Sequence, residues 1–343
     1  IIWSMLITTL TTSTIITMAS NHWLLAWISL ELNTLSILPI MMKHHHPRAT
    51  EATTKYFIIQ AAAAANILLA STINAWQTGQ WSILHTSSTT TTTLATIALM
   101  LKLGLAPAHL WYPEVMQGTT LHTAMLISTW QKFAPLTLLY LMHNNLNPTV
   151  MLLLGLISTA TGGWTGLNQT QTRKIMAFSS IAHMGWLLPA LVTNQSLTTL
   201  TMILYTITTT AIFLTLAATT TKTIMDIGTT WTASPTMMTM TLIMLMSLAG
   251  LPPLTGFMPK WLIIKELTTT ELLPLSMALL ITSLPSLYFY TRMAYTTTLT
   301  QTPHTTPEKL KWRFNTKFNI TTTSLTTIAC LLLPMTPTLY NST

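Results

Sequence analysis

The sequence predicts an all-α integral membrane protein of about eleven transmembrane helices: two inverted five-helix repeats, each with a discontinuous fourth helix, and one further C-terminal helix. Three observations predict it. Only 22 of the 343 residues are charged (15 basic, 7 acidic), which is 6%. A soluble domain carries about 25%, so the charge needed to cover a water-facing surface is missing. Half of the chain is hydrophobic and its mean hydropathy is +0.50, which also excludes disorder, because disordered chains are polar and charged. Finally, apolar runs of about 20 residues, the length that crosses a bilayer, recur along the whole chain.

Taken in order, the runs fall at 1–19, 23–42, 56–76, 82–117, 120–143, 149–167, 175–193, 197–218, 237–268, 272–293 and 320–340. Two are too long for one regular span, and each carries a helix breaker. The first has Gly104-Leu105-Ala106-Pro107, and the second Gly250-Leu251-Pro252-Pro253 followed by Gly256. Proline removes a backbone donor and clashes with the preceding turn. Inside lipid such a break is tolerated only where the freed backbone is buried in protein or lines a polar cavity.

The net charge of +8 reads as a topology signal rather than a nucleic-acid footprint, because the basic residues lie in short loops. With the N-terminal side called A, an odd number of spans puts Lys43, Arg48, Lys55, Arg173, Lys174, Lys222, Arg292, Lys309, Lys311, Arg313 and Lys317 on side A, and only Lys265 on side B. Side A is then the side from which the chain inserts. The lone cysteine, Cys330, excludes a disulfide framework, a Cys-ligated zinc and a Cys-ligated iron–sulfur cluster.

Lys102, Lys132 and Lys260 lie inside apolar runs, and so does Glu31. An ionisable group in the bilayer is costly and is a functional candidate by default. Snorkelling to an interface is an adequate account of Lys102 and Lys260. It is a poor one for Lys132, far from its span end, and for the short Glu31. The breaks at Pro107 and at Pro252 and Pro253 each lie close to one of these lysines, in the fourth span of each five-span unit (1–143 and 149–293). Paired discontinuous helices in inverted repeats are a transporter signature. The run 320–340 completes what reads as one transmembrane domain over 1–343.

Several stretches together resemble the antiporter-like membrane subunits of NADH–ubiquinone oxidoreductase (respiratory complex I). They are Ser29-Leu30-Glu31-Leu32-Asn33, Leu101-Lys102-Leu103-Gly104-Leu105-Ala106-Pro107 with His109, Trp111, Pro113 and Glu114, Trp130-Gln131-Lys132-Phe133-Ala134-Pro135, Ser179-Ser180-Ile181-Ala182-His183-Met184-Gly185-Trp186, and Gly250 through Trp261. Ala108 departs from the pattern, where an aromatic residue is expected. The Thr- and Met-rich composition (22 Met) also looks like that of an organelle-encoded chain.

The resemblance implies proton pumping without redox chemistry in this chain. It implies a glutamate–lysine pair at Glu31 and Lys102, a polar axis continued by Lys132 and Lys260, and a polar position between the two halves at His183. It implies no cofactor in this chain, with NADH, FMN, iron–sulfur clusters and ubiquinone on other subunits. The partners it implies are other core and accessory subunits of the membrane arm and lipids, cardiolipin among them, with no nucleic acid. Side A becomes the mitochondrial matrix, holding the N-terminus, and side B the intermembrane space, holding the C-terminus. Physically, a lysine out of water is expensive to keep charged and a nearby carboxylate compensates, so a pair that opens and closes can switch the lysine's protonation. Histidine can relay protons near neutrality.

Two other functions compete. A stand-alone cation/proton antiporter on the same fold has little support from a single membrane-embedded acid, Glu31, because sodium sites want more oxygen ligands. A passive scaffold has no need of four ionisable groups in lipid. Among the remaining features, His44-His45-His46 reads as an interfacial loop. Glu114, Asp226 and Glu266 read as solvated residues near span ends, with Glu114 also placed to shape a proton entrance. The run Thr89–Thr93 can bond backbone carbonyls, and Ala61–Ala65 suits close helix packing.

Overall fold

The computed structural model describes residues 2–43, 46–86, 88–299 and 320–342. Among them the chain is helical, with two isolated bridges and no strand. Six helices are long and apolar enough to cross a membrane unaided: Ile2–Ala19, Trp23–Met41, Pro47–Thr78, Thr172–Thr193, Gln195–Ala218 and Leu273–Thr298. Two of the three histidines at 44–46, and the basic residues Lys309, Lys311, Arg313 and Lys317, lie outside the described residues. The chain divides into two compact units, Ile1–Ile157 and Ser158–Thr343.

In the first unit, α1 (Ile2–Ala19), α2 (Trp23–Met41) and α3 (Pro47–Thr78) pack in sequence order. Helix α2 buries Trp23, Ala26, Leu30, Asn33, Ile37 and Met41, the three-and-four spacing of one helical face. Helix α3 begins with Pro47 at its first turn and ends on Gly79 at φ 71°, the asymmetry expected of a proline start and a left-handed glycine stop. Ala63 and Ala64 are fully buried on it, as the alanine run suggested. Then α4 (Thr89–Leu103) stops at Gly104, φ 70°, and α5 (Trp111–Gly118) resumes beyond Pro107. The hydroxyls of Thr91, Thr92 and Thr93 donate to the carbonyls three residues back.

The run 120–143, expected as one span, is also interrupted. Helix α6 (Leu121–Ser128) gives way to a tight turn at Trp130–Lys132 before α7 (Phe133–Leu141). Pro135 is the cause: it cannot donate to the Gln131 carbonyl, and its ring crowds that turn. Helix α8 (Pro148–Gly166) contains the boundary between the units.

The second unit contains α9 (Thr172–Thr193), α10 (Gln195–Ala218), α11 (Ile224–Ala233), α12 (Pro235–Ala249), α13 (Phe257–Thr269) and α14 (Leu273–Thr298). Helix α9 is its most enclosed element and packs on α10, α13 and α14. Close approach on α9 requires glycine: a Cβ at Gly162 would meet the Ala182 amide nitrogen at 2.7 Å, and one at Gly185 would meet the Thr159 amide nitrogen at 2.8 Å. The short α11 stands where a loop was expected. It forms because Thr223 and Asp226 close a capping box at its N-terminus. The last apolar run is divided into Ile320–Leu331 and Thr336–Ser342 around Pro334.

Candidate functional site: two lysine-lined cavities beside broken helices

In the first unit, Lys102 occupies the last turn of α4 and is 7% exposed. The left-handed Gly104 ends that helix, and the amide of Leu105 bonds back to the Met100 carbonyl, which satisfies part of the helix end. The ammonium therefore sits at the negative end of a helix dipole, yet has no hydrogen-bond partner among the described residues. Glu31 on α2 is half-buried. Among the described residues no lysine nitrogen lies within 4.0 Å of it, and its carboxylate accepts from the Thr34 hydroxyl at 3.1 Å. Glu31 and Lys102 therefore form no ion pair in the structure.

Lys132 sits in the interrupted turn and is 3% exposed. Its ammonium lies over the Tyr112 ring, 5.2 Å from the centroid, a cation–π arrangement. Lys102 and Lys132 line one cavity of about 20 Å³ together with Asn33, Gln60, Gln131 and Tyr112. That volume admits about one water. The Gln131 amide donates to Asn33 Oδ1 at 3.0 Å, and Gln60 donates to the Lys102 carbonyl at 3.4 Å. Gln60 and Tyr112 do not stand out in the sequence, and Asn33 and Gln131 enter it only within the resembling stretches. The available signal was a set of neutral polar side chains in apolar runs, which is weaker than a charge.

At the mouth of this unit, Lys55 pairs with both Glu51 and Glu114, each at 2.7 Å. The three are largely exposed. Glu114 stands at the N-terminal turn of α5, where a carboxylate is favoured by the dipole, and the pair ties α5 to α3.

In the second unit, Lys260 on α13 reaches back across the break. Its Nζ donates to the Ala249 carbonyl at 3.1 Å, at the C-terminal end of α12. Gly250, at φ 84°, leaves room: a Cβ there would stand 3.0 Å from Nζ. At Gly256 a Cβ would run into the Ser247 carbonyl, so the two halves of the broken helix meet through glycine. Lys260 and His183 line a common cavity of about 40 Å³ with Thr201, Tyr205 and Thr208, room for one or two waters. The His183 ring lies between Tyr205, 5.8 Å between centroids, and Tyr290, 6.5 Å.

Each unit therefore holds a lysine ammonium at the C-terminal end of a helix stopped by a left-handed glycine, beside a small cavity. The arrangement can carry a proton between an amine and water, or between an amine and an imidazole across water. Nothing in it resembles a redox centre or a nucleophile–base pair.

Residues 20–285 match the family described as NADH:quinone oxidoreductase/Mrp antiporter, and residues 287–340 match NADH dehydrogenase subunit 2 C-terminus. The chain is 50% identical to NADH-ubiquinone oxidoreductase chain 2 of Gallus gallus over 94% of each chain. It is 51% identical to the protein of that name from Carassius auratus over 98% of this chain and 97% of the other. In fold it is similar to a chain of respiratory complex I from Thermus thermophilus: TM-score 0.82, 24% identity, 97% of this chain and 79% of that one. It is equally similar to a chain of the Mrp complex from Dietzia sp.: TM-score 0.83, 14% identity, 98% and 76% coverage.

Proposed function

The chain belongs to the NADH–ubiquinone oxidoreductase chain 2 family, and from that premise we propose that Glu31, Lys102, Lys132, His183 and Lys260 form its proton relay. As a member, it is an antiporter-like membrane subunit of the proton-translocating complex that couples NADH oxidation to quinone reduction. The observation that carries the relay is the burial of Lys102 and Lys132 at two helix discontinuities around one water-sized cavity. A buried amine in an apolar run is costly, and that cost is hard to account for in a passive support.

In this reading Glu31 is the switch. Out of contact, it supports the charge on Lys102 weakly. Closing the gap would hold the proton there, and opening it would release the proton toward Lys132 through the shared cavity. Lys260 and His183 repeat the arrangement in the second unit. Eleven spans, two inverted five-helix repeats at 1–143 and 149–293, and an added helix at 320–340 complete the architecture. The membrane is the mitochondrial inner membrane, with the N-terminus in the matrix and the C-terminus opposite. Redox cofactors belong to other subunits, and the partners are the neighbouring membrane-arm subunits and lipids, cardiolipin among them.

The test is Glu31→Gln in the assembled complex, followed by proton-gradient formation per NADH oxidised with quinone as acceptor. Loss of pumping with assembly intact supports the switch, and Glu31→Asp retains more. An assembled Glu31→Gln complex that pumps normally rejects it.

A further inference from the structure

The Tyr290 hydroxyl lies 3.4 Å from His183 Nε2. Tyr290 is 1% exposed, on α14, and its ring packs against Phe289 with centroids 4.4 Å apart. It does not line the Lys260 cavity, whereas His183 does. The imidazole thus has Nε2 toward a buried phenol, and His183 is also part of the cavity wall.

We propose that Tyr290 is the positioning residue for His183: its hydroxyl holds the imidazole in the orientation that serves the Lys260 cavity. This rests on the relay assignment of His183. A phenol suits the task because its oxygen both donates and accepts. It donates to Nε2 when that nitrogen is bare and accepts when Nε2 carries a proton. A histidine that gains and loses a proton therefore keeps the same partner throughout its cycle. Tyr205, on the cavity side, also contacts the imidazole, at the same 47° tilt as Tyr290. Stacking alone leaves rotation about the ring's own axis less constrained than a hydrogen bond does.

The burial is what makes the contact matter. A phenol enclosed on α14 is placed by its packing, with Phe289 filling the space that a wandering ring would need. Positioning of this kind raises the fraction of time that donor and acceptor are aligned across a small cavity, and misalignment costs rate without costing fold.

Tyr290→Phe keeps the ring and removes only the oxygen. It is measured in the assembled complex in inner-membrane vesicles, beside His183→Gln and the double variant, as the rate of proton translocation during quinone-dependent NADH oxidation. The expected result is normal assembly with pumping lowered roughly two- to tenfold in Tyr290→Phe, the size of one modest hydrogen bond expressed as a rate. His183→Gln should lose at least as much, and the double variant no more than His183→Gln alone, because the hydroxyl acts through the imidazole. Wild-type pumping in Tyr290→Phe, while His183→Gln is impaired, overturns the proposal and leaves the relay standing. So do losses that add in the double variant, and so does failure of Tyr290→Phe to assemble, which would make the hydroxyl a folding requirement. Wild-type pumping in His183→Gln overturns the relay assignment itself, and the role of Tyr290 with it.

Discussion

The Lys260 ammonium donates to the Ala249 carbonyl across 3.1 Å, joining two half-helices that the chain separates by a break. A cation at a helix C-terminus is favoured by the dipole, and here it also satisfies a carbonyl that has lost its helical partner. The proline-rich break thus creates the acceptor, and the lysine that follows it uses the acceptor.

Gly250 makes that approach possible, so Gly250→Ala should disturb it. The residue has φ 84°, and an added Cβ would stand 3.0 Å from Lys260 Nζ and 3.3 Å from its Cδ. The left-handed backbone alone costs about 1–2 kcal/mol for an L side chain. The expected outcome is a complex of reduced thermal stability in which pumping falls more than NADH oxidation by the peripheral redox chain with an artificial acceptor. Equal pumping in the variant would show that Lys260 does not depend on this contact.

Both helix stops, at Gly104 and Gly250, were legible in the sequence, because glycine and proline inside an apolar run have few other readings. The charges at Glu31, Lys102, Lys132 and Lys260 stood out because an ionisable group inside an apolar run is rare. What could not be read was which of them share a cavity. Lys102 and Lys132 meet only through the way α4, α5 and the turn before α7 pack on α2 and α3, a matter of tertiary register. Lys55 and Glu114, 59 residues apart, met for a similar reason. Lys132's own break was half-visible: Pro135 was in view, yet its effect on the preceding turn was not drawn out. Tyr290 and Gln60 carry no charge signal, and Asn33 and Gln131 stand in the sequence only as parts of the resembling stretches; the importance of such a neutral polar group appears only once its partner is placed.

Asn33→Leu tests one of these unnoticed contacts. The variant keeps the branched outline of the side chain on α2's buried face and strands the Gln131 amide, which donates to Asn33 Oδ1 in the native chain. An unsatisfied buried donor costs about 1–3 kcal/mol. The double variant Asn33→Leu with Gln131→Leu removes both partners and should recover part of that loss. Thermal melting of the assembled complex measures both, and equal melting of the single variant and wild type would show the bond to be dispensable.

Asp226 provides a pH-dependent local stability outside the predicted spans. Its carboxylate accepts from the amides of Thr223 at 2.8 Å and Lys222 at 3.1 Å. The Thr223 amide, first of these, holds its pKa below the usual carboxylate value. A depressed folded pKa means the stabilisation is present above about pH 4, the value for an unfolded aspartate, and is lost as pH falls through the lower folded value. Asp226→Asn should cost about 1 kcal/mol of α11 stability at neutral pH, as for a lost cap, and progressively less in acid. Hydrogen exchange of the α11 amides at two pH values reads this directly.

The orientation in the membrane is tested by cysteines at Thr54, exposed near the start of α3, and Ser196, in the first turn of α10. The basic bias places them on opposite sides. A membrane-impermeant thiol reagent should modify Thr54→Cys only from the matrix side and Ser196→Cys only from the other, with the native Cys330 replaced by serine. Labelling of both from one side would invalidate the span count.

Lys132 separates a pump from a scaffold. It is 3% exposed, beside a cavity of about 20 Å³, with its ammonium over the Tyr112 ring. Lys132→Met keeps the length and discards the charge. A scaffold should gain from it, because it removes an insertion cost of a few kcal/mol. A pump should assemble and lose quinone-dependent turnover, since electron transfer is coupled to proton movement. Lys132→Arg keeps the charge and the contact with the aromatic face, but arginine hardly gives up its proton. A structural cation survives that change and a proton carrier does not. The guanidinium is bulkier than the ammonium, so the Arg result counts only in complexes whose assembly and melting match wild type. Matched assembly with turnover lost in both variants identifies Lys132 as a carrier. Turnover retained in both removes it from the relay, and turnover retained in Arg but lost in Met assigns it a fixed electrostatic role beside Lys102.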